Sequence, residues 1–271
     1  MPSNTSTIHA QIKRNLAITL QLAREELIDR YSGSILGRIW TLITPLAYIL
    51  VFILVFSRIM GARLESLGMD VGIYSYSLYL VCGILPWMAF ARSIEKATST
   101  FIEKRHLINK VNLSLSTLPM ASILSETCIF LISWVFFIIF LAILNIWPSY
   151  NWLFLIPILS IQLLLVFSVG LLLATLTVYL RDVKEMTAVA LQLGFWCTPI
   201  VYTVDILPEK MVAWINLNPV YQLITAYRDV FLHNNPPSIT GLVAVLALGC
   251  LALFTALWLI NRTEKDLRDS L

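Results

Sequence analysis

The residues in this chain that could do catalytic or metal chemistry are few, and their spacing argues against it. The three histidines, His9, His106 and His233, stand far apart. There is no HExxH pair for zinc, no GxSxG nucleophile turn and no GxxxxGK[ST] phosphate loop. Nothing in the sequence would hydrolyse a nucleotide. The four cysteines, Cys82, Cys128, Cys197 and Cys250, each lie in or beside an apolar run without CxxC spacing. They read as small apolar residues, not as a disulfide framework, and no metal site is expected. A charge inside a membrane span usually marks an ion or proton path. Here only Glu126 qualifies, about two turns into an apolar run, where it either reaches the interface or pairs with a basic neighbour. One carboxylate is thin support for a proton-coupled carrier, so the chain reads as a pathway without its own energy source.

The elements that would form such a pathway are apolar. Of 271 residues, 58% are hydrophobic and only 13% charged, with mean hydropathy +0.80; soluble domains carry about 25% charged residues. The stretch Arg30–Ser57 sets the pattern. It opens with Arg30, Ser32, Ser34 and Arg38, then runs uncharged from Ile39 to Phe56. That is long enough to cross hydrocarbon as a helix. The expected fold class is an all-α integral membrane protein with six transmembrane helices, an N-terminal amphipathic interfacial helix and a re-entrant helical hairpin before the last span.

In order, residues 1–34 read as a polar N-terminus carrying the interfacial helix. Ile8, Ile12, Leu16, Leu20, Ala23, Leu27 and Tyr31 recur at steps of three or four, the stripe of a helix lying in the membrane plane. The segment is too polar, and its first apolar run too late, to read as a cleavable signal peptide. Residues 35–260 form the transmembrane domain, with spans at about 35–57, 73–91, 118–144, 153–180, 186–202 and 239–260. Gly33 and Gly37 stand at GxxxG spacing, which allows close helix packing. Pro45 is accommodated as a kink, and the second span is expected to end near Pro86-Trp87. Residues 203–238 hold two apolar pieces, each too short to cross, broken by Asn218-Pro219; together they suit a re-entrant hairpin. Residues 261–271 form a charged tail.

Six spans put both termini on one side. That side carries fifteen Lys and Arg, in the N-terminal segment, the 92–116 loop, the 181–185 turn and the tail. The other carries four: Arg58, Arg63, Lys210 and Arg228. The positive-inside rule therefore orients both termini to the cytoplasm.

Several segments resemble one family. Arg30–Gly37 with Trp40 and Pro45, Gly83-Ile84-Leu85-Pro86-Trp87, Leu107–Val111 followed by Leu118-Pro119, Tyr179–Val183, and Thr198–Tyr202 with Leu207-Pro208, Asn218-Pro219 and Tyr227-Arg228 are similar, in order and spacing, to the permease subunit of ABC transporters that export polysaccharides. One departure is Asn112-Leu113-Ser114, where the family often has Phe-Pro. The resemblance implies a bacterial inner-membrane subunit that pairs with a second copy of itself and with two cytoplasmic ATP-binding subunits. A lipid-linked polysaccharide (O-antigen or capsule) then moves outward through membrane lipid. The chain would not itself be an enzyme, would hold no cofactor and would bind no nucleic acid; ATP and magnesium belong to the partner subunit. Glu103, Lys104, Arg105, Lys110, Arg181 and Asp182 would contact that subunit. Tyr48, Phe52, Trp87 and Trp196 would line the substrate path, since flat aromatic faces stack on the C–H faces of sugars. Arg30 and Arg38 would meet a phosphate head group, as arginine forks onto phosphate oxygens.

Two other readings share part of this pattern. A permease of the same fold could export a drug or small lipid. A membrane enzyme acting on lipid-linked sugars would need a polar catalytic cluster at one membrane face, and the sequence shows none.

Overall fold

Long uncharged blocks have one low-energy solution in hydrocarbon: a helix that closes its backbone hydrogen bonds within the segment. The computed structural model of the chain describes residues 4–59, 74–108 and 114–270, and these residues are helical with short connections. In order come α1 (Asn4–Asp29), a 3₁₀ turn at Gly37–Ile39, α2 (Trp40–Ile59), α3 (Ser75–Glu103), α4 (Arg105–Ile108) and α5 (Thr117–Ile143). A 3₁₀ turn at Tyr150–Phe154 leads into α6 (Leu155–Tyr179), then α7 (Asp182–Cys197), α8 (Glu209–Asn216), α9 (Pro219–Phe231) and α10 (Ile239–Ser270).

Among the described residues four helical stretches are long and apolar enough to cross a membrane: Ser75–Glu103, Thr117–Ile143, Tyr150–Tyr179 and Ile239–Glu264. Trp40–Val55 is a shorter apolar helix. The 16 residues of α7 rise about 24 Å, short of a hydrocarbon core of about 30 Å.

α3 is the central strut, packed against α2, α5, α6, α7 and α9, while α10 lies along α6 and α1 lies on α5. The main core joins Leu78, Val81, Leu85, Phe130, Phe137, Ile158, Leu165, Leu223 and Tyr227. α3 and α6 approach closely at Gly170, where an added Cβ would stand 2.7 Å from the Ala97 Cβ.

Four expectations are revised. The second span does not stop at Pro86-Trp87. Pro86 lies inside α3, which runs on to Glu103. Its polar end closes its own bonds, with Thr98 Oγ1 donating to the Ile94 carbonyl and Thr100 Oγ1 to that of Lys96, both at 2.7 Å.

α7, at the place of the expected fifth span, ends at Cys197, earlier than the expected 202. Thr198 is extended (φ −103°, ψ 130°), as a residue before proline prefers. Gly33 and Gly37 are not a packing motif. Both have positive φ (82° and 49°) with nothing within 4 Å of an added Cβ, so they form the turn before α2.

The stripe on α1 is also divided. Leu16 and Leu20 are exposed, whereas Thr19 and Ala23 are buried and Glu26 and Arg30 face the protein. Part of the expected apolar stripe is therefore free to meet lipid, and a mixed polar face fastens the helix.

Candidate functional site

Trp87, Ala91 and Glu95 fall four residues apart on α3, which puts them on one helix face. They look across a cavity of about 320 Å³ at Ala188, Leu191, Gln192, Phe195 and Trp196 of α7. The rings make an aromatic corner. Trp87 and Phe195 meet edge-on at 6.0 Å, as do Phe195 and Trp196 at 5.2 Å. Trp87 is 7% exposed and anchors this wall, while Trp196 is 63% exposed and free at the rim.

Glu95 also lines a second cavity of about 510 Å³ with Arg30, Arg92, Lys96, Ser99, Glu103, Glu126 and Lys184. Both voids are lined by α3 and α7 and share Glu95, so this α3–α7 cleft has an aromatic part and a charged part, the latter also lined by Arg30 and Glu126. Arg92 and Glu126 also line a narrow void of about 30 Å³ with Pro45, Tyr48, Met88 and Ser133. There the Arg92 guanidinium stands 5.8 Å over the Tyr48 ring. On the neighbouring face of α7, Val183, Met186, Thr187 and Ala190 meet Ile94, Leu173 and Leu176 around an apolar groove of about 530 Å³, and Trp87 and Leu191 line both this groove and the aromatic cavity.

The charged end is held by ion pairs whose partners lie far apart in sequence. Arg30 pairs with the buried Glu126. Glu26 accepts from Lys104 at 2.6 Å and Lys96 at 3.3 Å, and from Ser122 at 2.9 Å and Ser125 at 3.4 Å. Burial works to raise the Glu26 pKa, but Lys104, Lys96 and the Ser122 hydroxyl prevail and hold it below the usual carboxylate value. For Arg30, burial above all lowers the pKa; Tyr31 opposes this and the like charge of Arg92 adds to it.

The far end of α7 is held by a polar clasp. Backbone that leaves a helix away from water needs partners, and the four carbonyls from Pro199 to Tyr202 each have one. Arg228 Nη1 donates to Pro199 at 2.9 Å and Nη2 to Ile200 at 3.0 Å. The Tyr76 hydroxyl donates to Val201 at 2.6 Å and that of Tyr79 to Tyr202 at 3.1 Å. Arg228 is 4% exposed and lies 3.5 Å over the Tyr79 ring. Gly83 makes room for it, since a Cβ there would stand 2.6 Å from Nη2. Beside it, Asn218 Nδ2 donates to Thr198 Oγ1 at 2.9 Å, while the Asn218 side chain caps α9 through Val220 and Tyr221.

The structure brings together some of the residues expected to act. Trp87 and Trp196 share the aromatic cavity. Tyr48 stands at the narrow void under Arg92, and Phe52 packs against the core. Arg30 and Glu103 line the charged cavity. Lys104 is drawn toward Glu26 and Ser122 and stays 19% exposed. Arg105, Arg181 and Asp182 are exposed. Lys110 and the side chain of Arg38 lie outside the described residues. Among the described residues, no group of three His, Cys, Asp or Glu could hold a metal.

Sequence reasoning missed Glu26, Arg92 and Arg228. Glu26 and Arg30 sit at steps of three and four from Thr19 and Ala23, a register that a purely apolar stripe does not reveal.

Comparison with known proteins gives this geometry its context. The chain is 29% identical over 228 residues to an O-antigen export system permease protein RfbA of Klebsiella pneumoniae, covering 82% of this chain and 85% of the relative. A second RfbA from the same species is 30% identical over the same length and shares. The RfbA of Myxococcus xanthus is 25% identical over 256 residues, 94% of this chain and 95% of that one. Residues 19–232, most of the chain, match the family described as ABC-2 type transporter. This multi-spanning membrane protein therefore belongs to the ABC-2 type transporter family, as the membrane subunit of an ABC transporter.

Proposed function

We propose that this chain is the transmembrane subunit of an ATP-driven exporter. It pairs with a second copy of itself and with two cytoplasmic ATP-binding subunits, and it moves a lipid-linked polysaccharide outward from the cytoplasmic face of the bacterial inner membrane. The observation that carries this reading is the α3–α7 cleft. Its aromatic wall of Trp87, Phe195 and Trp196 suits sugar rings, and its charged end suits the anionic group by which a glycan is joined to lipid. The relatives, O-antigen export permeases, support the same cargo class.

In this reading the Lys- and Arg-rich side is cytoplasmic, so both termini lie there. The apolar α2 and the short α7 complete six spans, and α8 with α9 forms the hairpin that dips in and returns. The exposed residues Arg105, Arg181 and Asp182, together with Glu103, meet the ATPase subunit, which holds ATP and magnesium. The test is co-purification with a candidate ATPase subunit, followed by ATP turnover and surface display of polysaccharide. Wild type forms the complex and exports. Arg181→Glu and Arg105→Glu reduce assembly or coupled turnover severalfold without unfolding the permease. A permease that purifies alone beside every candidate ATPase, with export unaffected by its deletion, would refute the reading.

A further inference from the structure

We infer that the C-terminal end of α10 is the seat that holds α4 in place for the ATP-binding subunit, with Leu267 as its positioning residue. The inference rests on the exporter reading, in which α4 lies on the cytoplasmic side and Arg105 meets the ATPase subunit. The packing behind it belongs to this chain alone.

α4 needs outside support. It has four residues, Arg105–Ile108, and a single turn has no stability of its own in water. Its exposure is split. Arg105 and His106 are exposed, Leu107 is partly covered and Ile108 is buried. On its N-terminal side stands Lys104, whose backbone N–H closes α3 on the Thr100 carbonyl at 2.9 Å and whose side chain pairs with Glu26 of α1 at 2.6 Å. That pair fastens one end of the turn.

The other end is fastened by apolar packing. Ile108 belongs to one buried cluster with Leu115, with Leu171 of α6, and with Ile260 and Leu267 of α10. Leu107 and Leu22 of α1 pack against the same cluster. Ile108 and Leu115 flank residues 109–113, so both ends of that connection are anchored in it.

Leu267 is the member that the sequence does not announce. α10 has 32 residues, a rise of about 48 Å, which exceeds a hydrocarbon core by about 18 Å. Its apolar stretch ends by Glu264, and residues 265–270 hold Leu267 as their one apolar side chain. A tail that merely left the membrane would keep that leucine wet. Instead it is 0% exposed, and beyond the lipid only protein can cover it. The end of α10 therefore comes back onto the body of the protein at the level of α4. Because α10 lies along α6, a displacement of α4 is passed to two membrane-crossing helices, which the pair with Glu26 alone would not do.

The test has two arms. In the first, hydrogen exchange is followed on the full-length permease by itself in lipid nanodiscs. Leu267→Ala quickens exchange of the α4 amides about thirtyfold or more, through the lost packing of a buried leucine. Leu267→Val quickens it less, and Leu267→Met stays at the wild-type rate. Leu141→Ala removes the same atoms from an equally buried site in the main core and leaves α4 exchange as it is. In the second arm, the ATPase subunit is titrated onto the permease and ATP turnover is read. Leu267→Ala raises the concentration of ATPase subunit needed for half-maximal turnover severalfold, because apparent affinity falls with the fraction of α4 that is seated. Saturating ATPase subunit restores the maximal rate, whereas a merely structural loss lowers the maximum and leaves the half-saturation point. If Leu267→Ala does not fold, Leu267→Val decides in both arms.

The inference is overturned if α4 of Leu267→Ala exchanges like wild type, if Leu141→Ala quickens α4 as much, or if α4 loosens while the half-saturation point stays put. A wild type that binds no ATPase subunit overturns the exporter reading instead, and the exchange arm still decides whether Leu267 holds α4.

Discussion

Replacing Arg228 by methionine keeps most of the side-chain volume and removes every donor. Three carbonyls then lose a donor: Tyr79, at a long 3.4 Å from Nε, and the non-helical pair Pro199 and Ile200, at 2.9 and 3.0 Å. An orphaned buried acceptor costs roughly 1–3 kcal/mol, so the pair costs about 2–6 kcal/mol. Removing a buried guanidinium that has no carboxylate partner recovers part of this, because its desolvation penalty disappears. The balance is about 3 kcal/mol of destabilisation.

The hydroxyls give an internal scale. Tyr76→Phe and Tyr79→Phe each remove one bond, to Val201 and Tyr202, and each should cost about 1 kcal/mol. Tyr79→Phe keeps the ring under Arg228 and so isolates the hydroxyl. Arg228→Lys keeps the charge but loses the fork and should fall between them and Arg228→Met. The assay is unfolding in mixed micelles with increasing anionic detergent, followed by helix signal. The order Tyr→Phe, Arg→Lys, Arg→Met in rising cost supports the clasp. If Arg228→Met costs no more than Tyr79→Phe, the carbonyls have other partners and the reasoning is wrong.

Two further outcomes follow from the charged end and the aromatic wall. Because Glu26 is held below its unfolded value of about 4.3, its contribution is complete above that pH and is lost as pH falls through the folded pKa. Hydrogen exchange of α1 should therefore quicken in acid, below about pH 4, in wild type but not in Glu26→Gln. At neutral pH Glu26→Ala should cost about 2 kcal/mol, less than a fully buried pair because the Lys96 side chain is 37% exposed. Trp87→Ala should cost about 3–5 kcal/mol in thermal or chemical unfolding, the loss of a core anchor. Trp196→Ala should stay within about 0.5 kcal/mol, and equal costs for the two would show that their different burial does not matter.

Hydropathy made most of the helices legible, because an uncharged block of about 20 residues has no other stable form in hydrocarbon. It misplaced the end of the second span. Pro86-Trp87 reads as a stop, yet α3 continues through Arg92, Lys96 and Glu103, and those residues build one wall of the cleft. Proline was tolerated there and punctuated the chain at Pro199, a difference set by neighbours and invisible locally. The cleft itself was half legible. Trp87 and Trp196 are conspicuous as aromatics, but that they share a wall depends on α3 and α7 meeting across about a hundred residues. Arg228 was legible only as one of the few basic residues on the sparsely charged side. Its stretch reads as one of the two short apolar pieces of the expected hairpin, with no role marked for the arginine. What makes it an inward anchor is a set of carbonyls some 28 residues earlier, which no periodicity reports. Glu26 shows the same limit: its partners are 70 to 99 residues away.

α7 is a wall one helix thick. Only Thr187 along its length is buried, with the aromatic and charged voids over one face and the apolar groove over the neighbouring one, Leu191 standing between the aromatic void and the groove. A partition with space over two faces is located by its ends more than by its faces. Its far end is moored at Thr198–Ile200 by Arg228 and Asn218, and its near end begins at the exposed Arg181-Asp182 turn. A push on that turn would pivot the helix about the mooring, as a door turns on a hinge, and any width gained by the polar compartment would be taken from the oily one.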